Sequence, residues 1–201
     1  MMKSEYSVEY TNRQRNRSPL RKFIRKFYLS HTLGLSKGLA IDFGCGIGEL
    51  LELLPKGSLG LEINKASVSY CKNLNMNVSL YNPNEDKYTF SSLGKNHFDT
   101  FIMSHVLEHL EDPKDVLLKI MSACNRLGIE RIVIVVPGYK GFLYDKTHKT
   151  FINKDFIIEK NLINTQYYDL ISLKYFPFNL ENVGRVFTHN ETVFVYENKK
   201  K

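Results

Sequence analysis

Residues 38–51 read Gly38-Leu39-Ala40-Ile41-Asp42-Phe43-Gly44-Cys45-Gly46-Ile47-Gly48-Glu49-Leu50-Leu51. A short apolar run closes on an acid, three glycines follow at every second position, and a segment with apolar periodicity begins after them. This order predicts a buried strand, a tight glycine turn and the start of a helix. Because glycine has no side chain, such a turn lets the backbone lie directly against a ligand, and the N–H groups at the start of a helix favour an anion.

The spacing of the glycines separates two classes of ligand. Dinucleotide sites use G-x-G-x-x-G, whereas Gly44, Gly46 and Gly48 follow G-x-G-x-G, with Asp42 two residues before the first glycine. A carboxylate there would repel a pyrophosphate, but it can accept hydrogen bonds from the ammonium group of a methionine moiety. The turn therefore favours a ligand with an amino-acid end, and a turn without any ligand is the alternative.

Length and composition limit the number of domains and the cellular location that we expect. The 201 residues are enough for one domain with a sizeable core, and the hydrophobic fraction of 43% is ordinary for a globular protein. We find no pattern of a membrane span or a signal peptide, and the three cysteines lie too far apart for a disulfide framework or a zinc ribbon. We therefore expect one cytoplasmic domain at 18–197, between a flexible leader at 1–17 and a basic tail at 198–201.

The formal charge of +7 raises nucleic acid as a partner. Much of this charge lies in the leader, in the segment that follows it and in the lysines at 199–201, as is typical of solvated chain ends. We therefore expect a small molecule as the partner, and nucleic acid is the less favoured alternative.

After the leader, Ser18-Pro19 predicts the start of a helix with the serine as its cap. Apolar residues recur at helical spacing on one face and basic residues cover the other. The two sets are Leu20, Phe23, Ile24, Phe27 and Tyr28 against Arg21, Lys22, Arg25 and Lys26. Two interpretations fit this pattern: a helix that packs on the sheet beside the glycine turn, or a lid over a substrate with a basic outer face.

Six further strand-like runs alternate with helical segments, at 58–63, 78–81, 98–104, 131–136, 170–178 and 192–196. Glu62 lies near the end of the second strand and Asn82 directly follows the third. The carboxyl ends of parallel strands meet at one edge of a sheet, so both side chains should lie near the glycine turn. The alternation predicts an α/β fold with a doubly wound, mostly parallel sheet.

Two motifs resemble those of the class I S-adenosylmethionine-dependent methyltransferases. The glycine turn matches their first motif, an apolar strand followed by D-x-G-x-G-x-G. Residues 98–113 resemble a run of the form F-D-x-(apolar)-x-x-x-x-L-E-H-(apolar)-x-D-P, with one more residue before L-E-H. Residues 145–151 are similar to the D-x-T-H-x-x-x-F pattern of relatives that modify glycans or quinone precursors, with one residue fewer before the phenylalanine. The resemblance implies S-adenosylmethionine as cofactor and a Rossmann-like, seven-stranded, mostly parallel sheet with helices on both faces and the last strand antiparallel.

The resemblance also implies which residues bind the cofactor. Glu62 would accept hydrogen bonds from both ribose hydroxyls, and Asn82 would bond the adenine amino group. The predicted cofactor-binding residues are Asp42, Gly44, Cys45, Gly46, Gly48, Glu62, Ile63, Asn82, Ser104 and His105.

Methyl transfer is an in-line displacement, so the protein mainly aligns the reactants and excludes water. An oxygen or neutral nitrogen nucleophile gains from a general base. His105, just past the fourth strand, and His148, in the D-x-T-H run, are the predicted catalytic residues. For His109 we expect a structural role in orienting the loop after the fourth strand.

We expect no metal, but His105, Glu108, His109 and His148 form an alternative metal site. This set resembles the E-x-x-E-H run plus a later histidine in some methyltransferases of ubiquinone synthesis and of small-RNA 2′-hydroxyls, with His105 in place of the first Glu. Imidazoles with one carboxylate suit zinc, iron or nickel better than magnesium. H-x-x-E-H also matches an inverted zinc-protease motif, but there it lies within a helix and the glycine turn would have no role.

We therefore expect an enzyme, a methyltransferase that moves a methyl group to an oxygen or nitrogen of a small-molecule or sugar acceptor. Two alternatives keep the fold: a non-catalytic adaptor, and a metal-dependent O-methyltransferase acting on a nucleic-acid or quinone-precursor hydroxyl. A nicotinamide dehydrogenase is disfavoured by the glycine spacing.

Overall fold

A computed structural model describes residues 8–93 and 98–200 and contains one seven-stranded sheet. The strands are β1 (Ala40–Phe43), β2 (Leu59–Glu62), β3 (Val78–Leu80), β4 (Thr100–Ser104), β5 (Arg131–Pro137), β6 (Tyr168–Phe176) and β7 (Glu191–Asn198). They lie in the order β3-β2-β1-β4-β5-β7-β6. Strands β1 to β5 run parallel, whereas β7 pairs antiparallel with both β5 and β6. The predicted Rossmann-like sheet with an antiparallel last strand is confirmed.

Helices cover both faces of this sheet. They are α1 (Val8–Arg15), α2 (Pro19–Leu35), α3 (Lys65–Asn73), α4 (Pro83–Asp86), α5 (Pro113–Leu127), α6 (Tyr139–Tyr144) and α7 (Lys154–Glu159), with 3₁₀ turns at Leu107–His109 and Glu181–Arg185. Along β5, Ile132 and Ile134 pack on the face that α5 covers, while Val133 and Val135 pack on the face of α2 and α3. Because both faces are buried, β5 reads as a continuous apolar run.

Polar side chains cap the starts of two helices, and a glycine ends one of them. Asn64 caps α3 by accepting from Ala66 N at 2.9 Å, and Asp112 caps α5 by accepting from Asp115 N at 3.1 Å. Gly128 ends α5 with a left-handed φ of 80°, the conformation that favours glycine at this position.

The amino-terminal leader differs from the expectation of an irregular segment. Residues Val8–Arg15 form α1, and Thr11 on this helix is buried. Residues 1–7 of the leader and residue 201 of the basic tail lie outside the described residues.

The helix predicted directly after the glycine turn is absent, and that prediction was wrong. Within the described part of the chain, residues 47–54 form successive turns, with isolated helix-type hydrogen bonds such as Glu52 N to Gly48 O. Pro55 disfavours a helical conformation at the residue before it, which limits helix formation in this segment.

The first half of α2 extends past the sheet. Leu20 and Phe23 are 67% and 73% exposed, whereas Leu29 is buried and Leu33 packs beside it. The expected packing of this helix face on the sheet therefore does not occur at Leu20 and Phe23, whereas the ring of Phe27 lies 4.9 Å from that of Phe176 at the end of β6. In the described ranges, no helix has the length and apolarity needed to cross a bilayer.

Candidate active site

The glycine turn follows β1 at the carboxyl edge of the sheet. Gly44, Gly46 and Gly48 have φ of 76°, 56° and 80°, in the region that residues with side chains avoid. A Cβ at Gly44 would lie 2.5 Å from Val106 Cγ2, and one at Gly48 would lie 2.4 Å from Met76 Sδ. The turn therefore requires glycine, and it lies directly against the loop that follows β4.

Glu62 ends β2 and faces the glycine turn. Its Oε2 accepts from Gly46 N–H at 2.8 Å and its Oε1 accepts from Asn64 N–H at 2.7 Å, while the side chain is buried. Burial raises the pKa of Glu62 more than these backbone N–H groups lower it. Each carboxylate oxygen has a further lone pair, so Glu62 can accept two hydroxyl donors at this edge.

Asp42 lies in β1 with 3% of its surface exposed. Its Oδ2 has no hydrogen-bond partner among the residues that the structure describes. Burial raises the pKa of Asp42 to about 7; the charge of Arg25 lowers it and that of Glu62 raises it. A buried acceptor without a donor costs free energy, so this position suits a ligand that supplies a cationic donor such as an ammonium group.

Helix α1 lies over the same part of the sheet, which the sequence did not predict. Thr11 Oγ1 lies 3.0 Å from Ser67 Oγ and accepts from Asn64 Nδ2 at 3.3 Å. The guanidinium of Arg15 lies 4.6 Å from the centre of the Tyr70 ring. These contacts attach α1 to the first turns of α3.

Two side chains of α1 lie near the glycine turn and Glu62. A Cβ on Gly46 would lie 3.1 Å from Gln14 Oε1, an atom that is buried without a hydrogen-bond partner in the described part of the chain. Burial and the nearby charge of Glu62 raise the pKa of Tyr10. The residues of α1 that face the site are polar, so no apolar periodicity marks this helix in the sequence.

The other predicted cofactor residues lie at this edge of the sheet. Ile63 and Ser104 are partly exposed at the ends of β2 and β4, and Cys45 is buried in the glycine turn, where burial raises the pKa of its thiol. Asn82 follows β3 as predicted, and its side-chain oxygen caps α4 by accepting from Asn84 N at 3.1 Å.

His105 follows β4 with a left-handed φ of 56° and lies between two acids. Its Nε2 is 2.8 Å from Glu191 Oε1, and its Nδ1 is 3.4 Å from Glu108 Oε1. Burial lowers the pKa of His105, but the nearby acids Glu108 and Glu191 outweigh burial and raise it to about 10. Because a protonated ring cannot accept a proton, this raised pKa disfavours the predicted role of His105 as a general base.

The D-x-T-H segment orients two other imidazoles. Thr147 donates its hydroxyl to Asp145 Oδ1 at 2.7 Å, so its Oγ1 accepts from His109 Nδ1 at 3.1 Å. His148 Nδ1 donates to the carbonyl of Phe142 at 2.8 Å. In the tautomer that these hydrogen bonds favour, Nε2 of each ring is therefore the nitrogen that carries the lone pair.

Glu108 lies between these imidazoles with 1% of its surface exposed. Within the described residues neither of its oxygens has a hydrogen-bond partner, and His148 Nε2 lies 3.8 Å from its Oε1. One ligand atom from each of Glu108, His109 and His148 lies within 4.8 Å of the other two. The structure thus brings together three of the four residues of the alternative metal site, while His105 pairs with Glu191.

Comparisons of the sequence with known families and proteins place these residues in context. The model of a family described as "Methyltransferase domain" matches residues 41–129, which include the glycine turn, Glu62 and the L-E-H run. A comparison with curated proteins gives no match.

Solved structures with a similar fold include a SAM-dependent methyltransferase from Archaeoglobus fulgidus, which is 23% identical with a TM-score of 0.62, over 95% of this chain and 100% of that one. The magnesium protoporphyrin IX methyltransferase of Synechocystis PCC 6803, crystallised with SAH, is 13% identical with a TM-score of 0.63, over 96% and 95% of the two chains. The small RNA methyltransferase HEN1 is 16% identical with a TM-score of 0.58, over 91% of this chain and 26% of that one. At identities below 25%, these similarities show that the chain shares their fold and carry no information on its activity.

Proposed function

We propose that this chain is a class I S-adenosylmethionine-dependent methyltransferase that methylates an oxygen or nitrogen of a small-molecule or sugar acceptor; the match of residues 41–129 to a methyltransferase family and the fold support this proposal. The observation that supports the proposal is the cluster of Glu108, His109 and His148, because Glu108 and His109 belong to the loop after β4 whose Val106 lies against Gly44. A hydroxyl nucleophile needs such a group, either a proton acceptor or a cation ligand, close to the methyl donor.

The residues around the glycine turn fit the cofactor. S-adenosylmethionine supplies an activated methyl group on its sulfonium when bound. Glu62 is proposed to accept the ribose hydroxyls and Asp42 to accept from the amino group, because Asp42 Oδ2 is a buried acceptor without a partner in the described residues. Tyr10 and Gln14 of α1 would cover this end of the site and exclude water from it.

His148 is the proposed proton acceptor in this function. Its Nδ1 is fixed by the carbonyl of Phe142, and its Nε2 faces Glu108. Glu108 would stabilise the imidazolium that forms when the acceptor hydroxyl loses its proton. Such general base catalysis contributes about 10²- to 10⁴-fold to a rate.

Transfer of label from S-adenosylmethionine to a panel of phenols, sugars, amines, nucleosides and RNA tests this function. We expect label on a small acceptor, with kcat about 100-fold lower or more in Glu108→Gln and the affinity for SAH unchanged. Glu111→Gln is the matched control, because Glu111 is exposed and pairs only at the surface with Lys149. Labelling of RNA but of no small acceptor would contradict the proposed acceptor class, and wild-type kinetics in Glu108→Gln would contradict the proposed site.

The same three residues favour a second function, the cation-assisted methylation of a hydroxyl on a nucleic acid or a quinone precursor. One carboxylate with two imidazole nitrogens is a ligand set of zinc and ferrous iron. Ligating histidines usually donate their other N–H to a protein group, as His109 and His148 do through Nδ1. A divalent ion held there would polarise the acceptor hydroxyl and lower its pKa.

Elemental analysis of protein purified without chelators distinguishes the two functions. The second function predicts about one zinc or iron per chain, lost in His109→Ala and in His148→Ala but kept in His189→Ala, whose ring is exposed outside the cluster. Wild-type protein without stoichiometric metal, and without zinc binding in a calorimetric titration, would contradict the second function and leave His148 as the proton acceptor.

A further inference from the structure

The carboxyl edge of the sheet carries an uncovered apolar surface. More than half of the exposed large apolar side chains that the structure describes lie in three segments: the first half of α2, α6, and the connection from β6 to β7. Six of them are at least 60% exposed and define what we call the apolar rim: Leu20, Phe23, Leu143, Tyr144, Leu180 and Val186. Contiguous apolar surface of this kind marks an interaction site.

Contacts among the described residues join the three segments into one surface. The ring of Phe27 on α2 lies 4.9 Å from that of Phe176 at the end of β6. Lys140 on α6 donates to the carbonyl of Val186 in the connection at 2.8 Å. The rim therefore runs from α2 through the end of β6 to α6.

The apolar rim lies near the proposed acceptor site. Phe176 is paired with Glu191 in the sheet, and Glu191 is paired with Pro137 on its other side. The carboxylate of Glu191 contacts His105, which also lies beside Glu108. The end of β6, which the apolar rim flanks, is therefore linked to Glu108 through Glu191 and His105.

The charges on these segments are mainly basic. On α2 the apolar rim residues alternate with exposed lysines, which is the pattern of a helix that lies in a membrane interface. The exposed basic residues are Lys22, Lys26, Lys140, Lys146 and Arg185, against the acids Asp145 and Glu181. Asp145 is itself engaged by hydrogen bonds from Thr147, so the surface presents apolar and positive groups together.

We propose that the apolar rim docks onto the surface of an anionic lipid bilayer, so that the acceptor site opens toward the membrane. Aromatic and aliphatic side chains would enter the boundary between headgroups and acyl chains, and the lysines would face anionic headgroups. A second copy of this chain fits less well, because a two-fold axis through the rim would place the same basic residues opposite each other. An acceptor hydroxyl carried by a lipid-linked molecule follows from the docking, and that part rests on the proposed function.

Sedimentation of the full chain with vesicles tests the docking independently of methyl transfer. We expect the protein to pellet with phosphatidylcholine vesicles that contain phosphatidylglycerol, to pellet poorly with phosphatidylcholine alone, and to be released at high salt. The double variant Leu20→Ser/Phe23→Ser should partition at least about tenfold more weakly, because it removes two apolar groups from the interface. Leu80→Ser is the matched control, since Leu80 is 49% exposed on β3, outside the rim.

Thermal unfolding in differential scanning calorimetry without ligand shows whether each variant keeps its fold, so a failure of the methyltransferase function is separate from a failure of docking. Three results would overturn the proposal. The wild-type protein could stay in the supernatant with both vesicles while RNA shifts it on a gel; the double variant could pellet like the wild type; or the wild type could elute as a dimer that the double variant abolishes, without vesicle binding.

Discussion

Replacing Glu62 by glutamine should weaken SAH binding while the fold stays in place. In the structure each carboxylate oxygen of Glu62 accepts one backbone N–H, from Gly46 and from Asn64. A glutamine has one oxygen and one NH₂ group, so its NH₂ would face one of these two N–H groups, donor against donor. Only one oxygen would remain to accept a ribose hydroxyl.

The expected magnitude follows from this loss of one acceptor. A hydrogen bond to a charged group contributes about 1.5–3 kcal/mol, so Kd for SAH should rise by about 10- to 150-fold. An unsatisfied buried N–H costs about 1–3 kcal/mol of stability, but the variant also removes a buried charge whose burial raises the pKa of Glu62. The two effects oppose each other, and Tm should fall by no more than about 2–4 °C per net kcal/mol in a domain of this size.

Isothermal titration with SAH and differential scanning calorimetry measure the two quantities separately. Glu52→Gln is the matched control, because Glu52 is exposed a few residues beyond the glycine turn, and it should bind SAH like the wild type. An affinity of Glu62→Gln within threefold of the wild type, with Tm preserved, would refute the assignment of Glu62 to the cofactor.

Two further predictions concern Asp42 and α1. Because burial raises the folded pKa of Asp42 to about 7 from an ordinary value of 3.8, the native state binds the proton more tightly, and the wild type should lose up to about 4 kcal/mol of stability relative to Asp42→Asn as pH rises from about 4 to about 7. Denaturant titrations across that range measure this difference, and parallel curves for the two proteins would contradict it. Thr11→Ala and Gln14→Ala should each weaken SAH binding by about 2- to 12-fold, the effect of one lost hydrogen bond, whereas Asn12→Ala, at an exposed position of the same helix, should not. If calorimetry gave all three variants the same affinity for SAH as the wild type, α1 would not be part of the cofactor site.

Features that depend on neighbours in the sequence were predictable. The glycines at Gly44, Gly46 and Gly48 need left-handed backbone, and only glycine adopts it without strain. The apolar run of β5 and the caps at Asn64 and Asp112 are likewise written in adjacent residues. The position of Glu62 beside the turn followed from the same logic, because parallel strands that end in acids meet at one edge of the sheet.

Predictions from the sequence differed from the structure in segments whose conformation depends on tertiary contacts. Helix α1 faces the site with Tyr10, Thr11 and Gln14, so its sequence has no apolar stripe and only its contacts to α3 and the glycine turn reveal its place. Burial of the apolar face of residues 20–27 on α2 was one expectation, but Leu20 and Phe23 are exposed and only the later turns of this face contact the sheet.

The amino-acid sequence by itself determined the sheet, the glycine turn and the identity of the groups available for chemistry. Only the tertiary structure decided which of those groups meet. The antiparallel pairing of β7 with β5 brings Glu191 to His105, 86 residues away in the chain. The segment after β5 brings Thr147 into contact with His109, which lies 38 residues earlier in the chain. Periodicity reports the face of an element that is buried, but the partner of a buried polar side chain depends on strand order and register, which no local pattern contains.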